Sequence, residues 1–132
     1  MRALIQRVLM SQVRVDGVII GQIEQGLLVL LGVAPDDGVA DRDWLLRKIL
    51  NLRIFADGEG RMNRSVTDIQ GGLLIISQFT LFADVSQGNR PSFIRSAPPE
   101  FAESAYNDFL EKLCQNYSGS VAAGRFAANM EV

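Results

Sequence analysis

Ser77, Gln78 and Thr80 close a strongly apolar run, "GGLLII", and open a polar stretch, "SQFTLFADVSQGNRPSF". Two hydroxyls and an amide within four residues can donate and accept hydrogen bonds. They can orient a polar substrate, but none is a base at neutral pH. A hydroxyl becomes a useful nucleophile only beside a group that removes its proton. The chain contains no histidine. That excludes Ser-His-Asp and Cys-His catalysis, histidine general bases and histidine-bearing zinc sites. Chemistry here must rest on hydroxyls, carboxylates, amides, backbone N–H groups or the substrate's own functional groups. The stretch is either an ordinary strand end leading into a turn or the floor of a site.

The remaining chemistry-bearing residues are sparser. The one cysteine, Cys114, excludes an internal disulfide and suggests a reducing compartment. It is expected on the apolar side of a helix as a buried structural thiol. Asp36, Asp37, Asp41 and Asp43 cluster. A cation site is one reading; turn and helix-start capping is the stronger one. Net charge is -2, so no basic field marks a nucleic-acid binder, and no DNA partner is expected. Eleven of thirteen cations are arginine, and Arg61, Arg64, Arg90 and Arg95 fall in loop-like stretches. Arginine suits phosphate and base stacking, although a general arginine preference explains the count equally well.

The elements that must position these groups can be read from pattern. The length fits one domain, residues 1–132. "RALIQRV" and "QVRVDGVIIGQI" read as strands, with a hairpin turn at Asp16-Gly17. "GLLVLLGVA" is a continuous apolar run, as in a strand buried on both faces. It is far too short to span a membrane, and no membrane partner is expected. "DRDWLLRKILNLRIF" predicts a helix with Leu45, Ile49 and Leu52 on one face, joined by Leu46 and Leu50. "LLIISQFTLFA" predicts a central strand or strand pair. Pro98 and Pro99 start a helix over "PEFAESAYNDFLEKLCQN", lined by Phe101, Ala105, Phe109 and Leu113. "VAAGRFAANMEV" predicts a last strand, interrupted at Val132, so a C-terminal piece is expected to be missing. The expected class is α+β: a curved, mostly antiparallel or mixed sheet, barrel- or sandwich-like, covered by two helices.

Taken in order, "MRALIQRV", "GLLVLLGV", "KILNLRIF", "MNRSV", "SQFTL", "NRPSF", "APPE" and "AGRFAANMEV" resemble the D-aminoacyl-tRNA deacylase family over the whole chain. The resemblance implies hydrolysis of the ester joining a D-amino acid, or glycine, to the 3′-terminal adenosine of tRNA. It implies a cytoplasmic homodimer with its sites near the subunit interface, and no cofactor or catalytic metal. The family's Ser-Gln-Phe-Thr-Leu motif falls on Ser77, Gln78, Phe79, Thr80 and Leu81. Its second motif, a Gly-cis-Pro dipeptide that rejects L-amino acids in the partner's site, has no counterpart, since Pro35, Pro91, Pro98 and Pro99 all follow residues other than glycine. The family's usual glycine and aspartate are replaced by Ala127 and Asn129. These two departures are read as minor.

Carried onto these positions, the resemblance implies catalytic or orienting roles for Ser77, Gln78, Phe79 and Thr80. Backbone N–H groups near Phe79 and Thr80 would hold a developing oxyanion, and the ribose 2′-OH would assist water. With no histidine available, Thr80 is expected to position rather than attack. Phe126 is either an adenine-stacking ring or a core residue. Met130 either lines the amino-acid pocket or fills the core. Arg7 is expected near the site, and Arg90 and Arg95 are weaker candidates for tRNA phosphates. A non-catalytic tRNA-end binder, or an inactive remnant lacking Gly-cis-Pro, is the alternative. A small metabolic enzyme acting on an activated ester or imine fits the composition but explains neither motif.

Overall fold

The computed structural model describes Met1–Val132. Its centre is a four-stranded sheet in the order β1 (Arg2–Val8), β4 (Gly26–Gly32), β7 (Gly72–Ser77), β8 (Val121–Ala123). The pair β1–β4 is antiparallel, whereas β4–β7 and β7–β8 are parallel. Parallel neighbours need crossover connections. Here these hold α1 (Val39–Asn51), with the short β5 (Phe55–Ala56) and β6 (Met62–Arg64) pair, and α2 (Pro99–Asn116). The sheet is thus mixed, and both helices are crossovers.

Alternation of side chains divides the core into two layers. Leu27, Val29, Leu31, Leu73 and Ile75 face Leu45, Leu46, Ile49 and Leu50 of α1 and Tyr106, Phe109 and Leu113 of α2. Their neighbours Leu74 and Ile76 face the opposite way. There they meet Val13 and Ile23 of the hairpin β2 (Ser11–Val15) and β3 (Val18–Ile23). That hairpin turns at Asp16 and Gly17, both at positive φ (52° and 76°). This is the backbone a two-residue hairpin needs and Asp-Gly tolerates.

Four expectations shift. The first helix starts at Val39 and stops at Asn51, not Phe55. Leu52 is extended at ψ 117°, and the carbonyl of Leu50 accepts from Thr67 Oγ1 at 2.9 Å. The "RIF" stretch then enters the β5–β6 pair. On α2, whose bounds agree with the reading, the buried stripe is Ala102, Tyr106, Phe109 and Leu113. A strict spacing of four drifts around a helix of 3.6 residues per turn, so Phe101 is left exposed. Cys114 sits one position past Leu113 on the same helix and is exposed, not buried. The last strand is only three residues long. After it the chain turns, and Glu131 exchanges backbone bonds of 2.8 and 2.9 Å with Arg14 of β2.

The aspartates do local work. Asp41 Oδ2 accepts from the N–H of Gly38, the residue before α1, at 2.9 Å. Asp37 Oδ2 accepts from Ala34 N–H at 2.6 Å, and its other oxygen meets the Met1 ammonium. No helix is long and apolar enough to cross a membrane.

Candidate active site

Strand β7 ends where its neighbour ends. The N–H of Gln78 donates to Leu31 C=O at 2.8 Å, and beyond that bond β4 stops at Gly32. With no ladder to follow, Phe79–Phe82 coil into a single 3-10 turn. It is closed by Leu81 N–H on Gln78 C=O (3.3 Å) and Ala83 N–H on Thr80 C=O (3.0 Å). Gly32 lets the turn pack closely on the end of β4. A Cβ there would lie 3.0 Å from both Gln78 C=O and the Phe82 ring, which itself is buried. "LLIISQFTLFA" is therefore a strand followed by a 3-10 turn, not one strand or a strand pair.

At this strand end lies a cavity of about 580 Å³. Leu31, Val33 and Ile76 supply its sheet wall, and Ser77, Gln78 and Phe79 supply one edge. Ser96, Ala97 and the start of α2 (Pro99, Ala102, Tyr106) supply another. Phe126, Ala127, Ala128, Met130 and Val132 close the third side. Most of the lining is apolar, and Tyr106 supplies its one titratable side chain. Tyr106 is 2% exposed and donates to Ile75 C=O at 2.8 Å. Burial pushes its hydroxyl up to about 12, against a smaller opposing contribution from a hydrogen bond with the Gly124 backbone. It stays protonated at neutral pH and cannot act as a base.

The first N–H groups of any helical turn lack partners within it. Those of Phe79 and Thr80 donate to no group of this chain. Gln78 Nε2 donates to Thr80 Oγ1, so amide and hydroxyl hold each other across the start of the turn. Phe79, 56% exposed, packs edge-on against Phe93 with ring centroids 5.1 Å apart. The loop from Asp84 to Ala97 then folds back. Asp84 and Ser92 exchange two backbone bonds (2.8 and 2.9 Å), and Ala97 N–H donates to Val33 C=O at 2.9 Å. The Asp84 carboxyl is held below the ordinary range, chiefly by the Ser86 N–H and then by the Ser86 side chain, with a smaller contribution from Arg95.

The structure therefore brings Ser77, Gln78, Phe79, Phe126 and Met130 to one cavity, with Thr80 bonded to Gln78 at its edge. Phe126 also packs on the core, 6.1 Å from the Tyr106 ring, so its two readings are compatible. Leu81 lies on the turn outside the lining. Arg7 pairs with Leu27, four residues along β4 from Leu31 and so about 13 Å down the sheet. Its guanidinium donates to Ile54 C=O. Arg90 is exposed, and Arg95 sits 3.5 Å from Asp84. Tyr106 and Ser96 were not singled out from sequence. Tyr106 carries a weak signal, a phenol hydroxyl on an otherwise apolar helical stripe, which needs a partner when buried.

An α+β domain with a mostly apolar cavity, edged by hydroxyls, an amide and two unused N–H groups, is equipped to take the uncharged end of a larger molecule. Comparison with known proteins makes the class specific. A family described as D-Tyr-tRNA(Tyr) deacylase matches residues 4–132. The D-aminoacyl-tRNA deacylase of Fervidobacterium nodosum is 53% identical over all 132 residues, which cover 88% of its length. That of Pseudomonas fluorescens strain Pf-5 is 52% identical, with 90% of its length covered. A solved structure titled "c-Myc DNA Unwinding Element Binding Protein" superposes with a TM-score of 0.94 at 42% identity, covering 99% of this chain and 89% of that one. A probable eukaryotic D-amino acid tRNA deacylase shares the fold at a TM-score of 0.80 and 15% identity, over 98% of this chain and 91% of that one. The chain belongs to the D-Tyr-tRNA(Tyr) deacylase family.

Proposed function

We propose that this chain hydrolyses the ester between a D-amino acid, or glycine, and the 3′-terminal adenosine of tRNA, releasing free amino acid and tRNA. The observation that carries the mechanism is the 3-10 turn after Ser77. It presents two unpartnered N–H groups beside a cavity whose lining side chains include neither carboxylate nor amine. Water adds to the ester carbonyl carbon, the N–H groups of Phe79 and Thr80 hold the oxyanion, and the carbon–oxygen bond to the ribose breaks. The proton that the attacking water gives up passes to the departing ribose oxygen, and the neighbouring 2′-OH orients that water. Thr80 Oγ1 is bonded to an amide, which is no base, so its role is positioning. Ser77 and Gln78 bind the amino-acid end and the ribose, Met130 lines the amino-acid pocket, and Phe126 offers a ring to the terminal adenine. Arg90, and more weakly Arg95, serve tRNA phosphates.

The reading extends to assembly. β1 is an edge strand, and Leu4, Leu9 and Met10 are 56%, 82% and 63% exposed on and just after it. We place a homodimer contact there, in the cytoplasm where charged tRNA is found. Any role for Arg7 at a site then lies across that contact, since within one chain it is remote from the cavity.

The test is ester loss from D-Tyr-tRNA and L-Tyr-tRNA. Faster loss of the D form is expected. Equal loss of both would remove chiral selection from the proposal, and loss of neither by folded protein would overturn it. Thr80→Ala should retain measurable turnover; complete loss with tight binding kept would make Thr80 the nucleophile instead.

A further inference from the structure

Arg2 lies on the edge strand, paired with Gly32 at the strand end where the 3-10 turn begins. Its Nη1 donates to Leu81 C=O at 2.9 Å, across 79 residues of sequence. Its guanidinium carbon lies 4.4 Å from the centroid of the Phe82 ring. These contacts fall on two successive residues of the turn that carries Phe79 and Thr80. Packing of Phe82 against Gly32 and of Phe79 against Phe93 seats the turn, but few hydrogen bonds fix its orientation. Its closing bonds are internal, its start has no side-chain cap, and Phe79 is mostly exposed. Arg2 supplies the side-chain hydrogen bond that reaches it from another element. A planar guanidinium can do both jobs at once, stacking on a ring while its edge donates.

We propose that Arg2 is a positioning residue for the Ser77–Leu81 site, locking the 3-10 turn so that the Phe79 and Thr80 N–H groups and the Gln78–Thr80 pair keep one geometry. The proposal rests on the hydrolase reading above, because positioning matters most where donors must meet a developing charge. Small misplacements of such groups cost orders of magnitude in rate.

The experiment compares wild type, Arg2→Lys and Arg2→Met in three measurements. These are melting temperature, kcat and KM on D-Tyr-tRNA, and amide hydrogen exchange at Leu81 and Ala83. Arg2→Met should melt close to wild type, because the side chain is exposed. Its kcat should fall about tenfold or more with KM changed less than about threefold. Arg2→Lys keeps a cation over Phe82 and one donor, and should recover most of the loss. Exchange at Leu81 and Ala83 should quicken in Arg2→Met while the β4 and β7 amides stay protected. A kcat within twofold of wild type, a loss that follows melting temperature, or a lysine variant as poor as methionine would overturn the proposal. If wild type proves inactive, the hydrolase reading fails by itself. Unchanged exchange at Leu81 and Ala83 would then overturn the positioning claim separately.

Discussion

The cavity has a floor and a mouth built on different principles. Its floor, Leu31, Ile76 and Tyr106, is 1–2% exposed. Leu31 and Tyr106 belong to the helix-facing core, Ile76 to the hairpin-facing one, and the one polar group of the three, the phenol, is satisfied by Ile75. Its mouth is a 3-10 turn with unpartnered N–H groups and an exposed ring, and across from it a turn with alanine at positive φ. The floor is where packing and hydrogen bonding agree. The mouth is where local rules are left unfulfilled, which is common where a ligand completes the structure. The division predicts that floor substitutions act on stability and mouth substitutions on turnover.

Leu31→Ala should have the largest effect. It removes a side chain that belongs to the main core as well as the cavity wall, at about 3 kcal/mol of unfolding free energy. Chemical denaturation measures this. A loss below about 1 kcal/mol would mean that the cavity already relaxes the sheet, and the floor is then not part of the core. Next is Gln78→Ala at the mouth. It should lower kcat about a hundredfold, in the range seen when one polar group serving the transition state is removed, with the unfolding midpoint unchanged. A matching drop in stability would erase the distinction between the two regions.

Tyr106 sharpens the comparison through pH. Its hydroxyl is raised from 10.0 to about 12 in the fold. The unfolded chain therefore releases this proton first as pH rises. The stabilisation is complete below pH 10 and is lost between pH 10 and 12, by roughly 2–3 kcal/mol. Tyr117 is shifted in the same direction by burial. In Tyr106→Phe the alkaline loss should shrink to the Tyr117 part. An unaltered alkaline slope would show that the floor hydroxyl is not buried as described.

Much of this was legible in the chain because it is local. Alternation marks β1 and the hairpin strands, Asp16-Gly17 marks their turn, and Pro99 at the first position marks where α2 starts. The "SQFT" stretch, by its polarity at an apolar strand's end, marked what proves to be the edge of a cavity. What was not legible depends on residues far apart in sequence. β7 stops at Ser77 because β4 runs out, and no window around residue 77 contains that fact. Arg2 meets Leu81 only once the sheet is formed. Cys114 was misplaced because one position past Leu113 is about 100° around the helix, enough to turn its thiol off the buried stripe.

Ala127, expected to be a minor replacement for glycine, carries more weight in the structure. It occupies φ 58°, with the Ala128 N–H donating to Arg125 C=O at 3.2 Å. It is thus the third residue of a tight turn of the kind that favours glycine there. The hairpin at Asp16-Gly17 meets the same need with residues that suit it. A left-handed alanine costs about 1–2 kcal/mol, while glycine loses about 0.4–1 kcal/mol through the greater freedom of the unfolded chain. Ala127→Gly should therefore stabilise the protein by a net of about 0.5–1 kcal/mol. The turn also carries Phe126 and borders the cavity, so kcat should stay within about threefold if its backbone path is unchanged. Stabilisation with a much larger fall in turnover would mean that the alanine methyl shapes the mouth. Destabilisation would mean that the turn is held from outside, by Phe126 against Tyr106 and by the Glu131–Arg14 bridge, firmly enough that alanine's rigidity outweighs its strain.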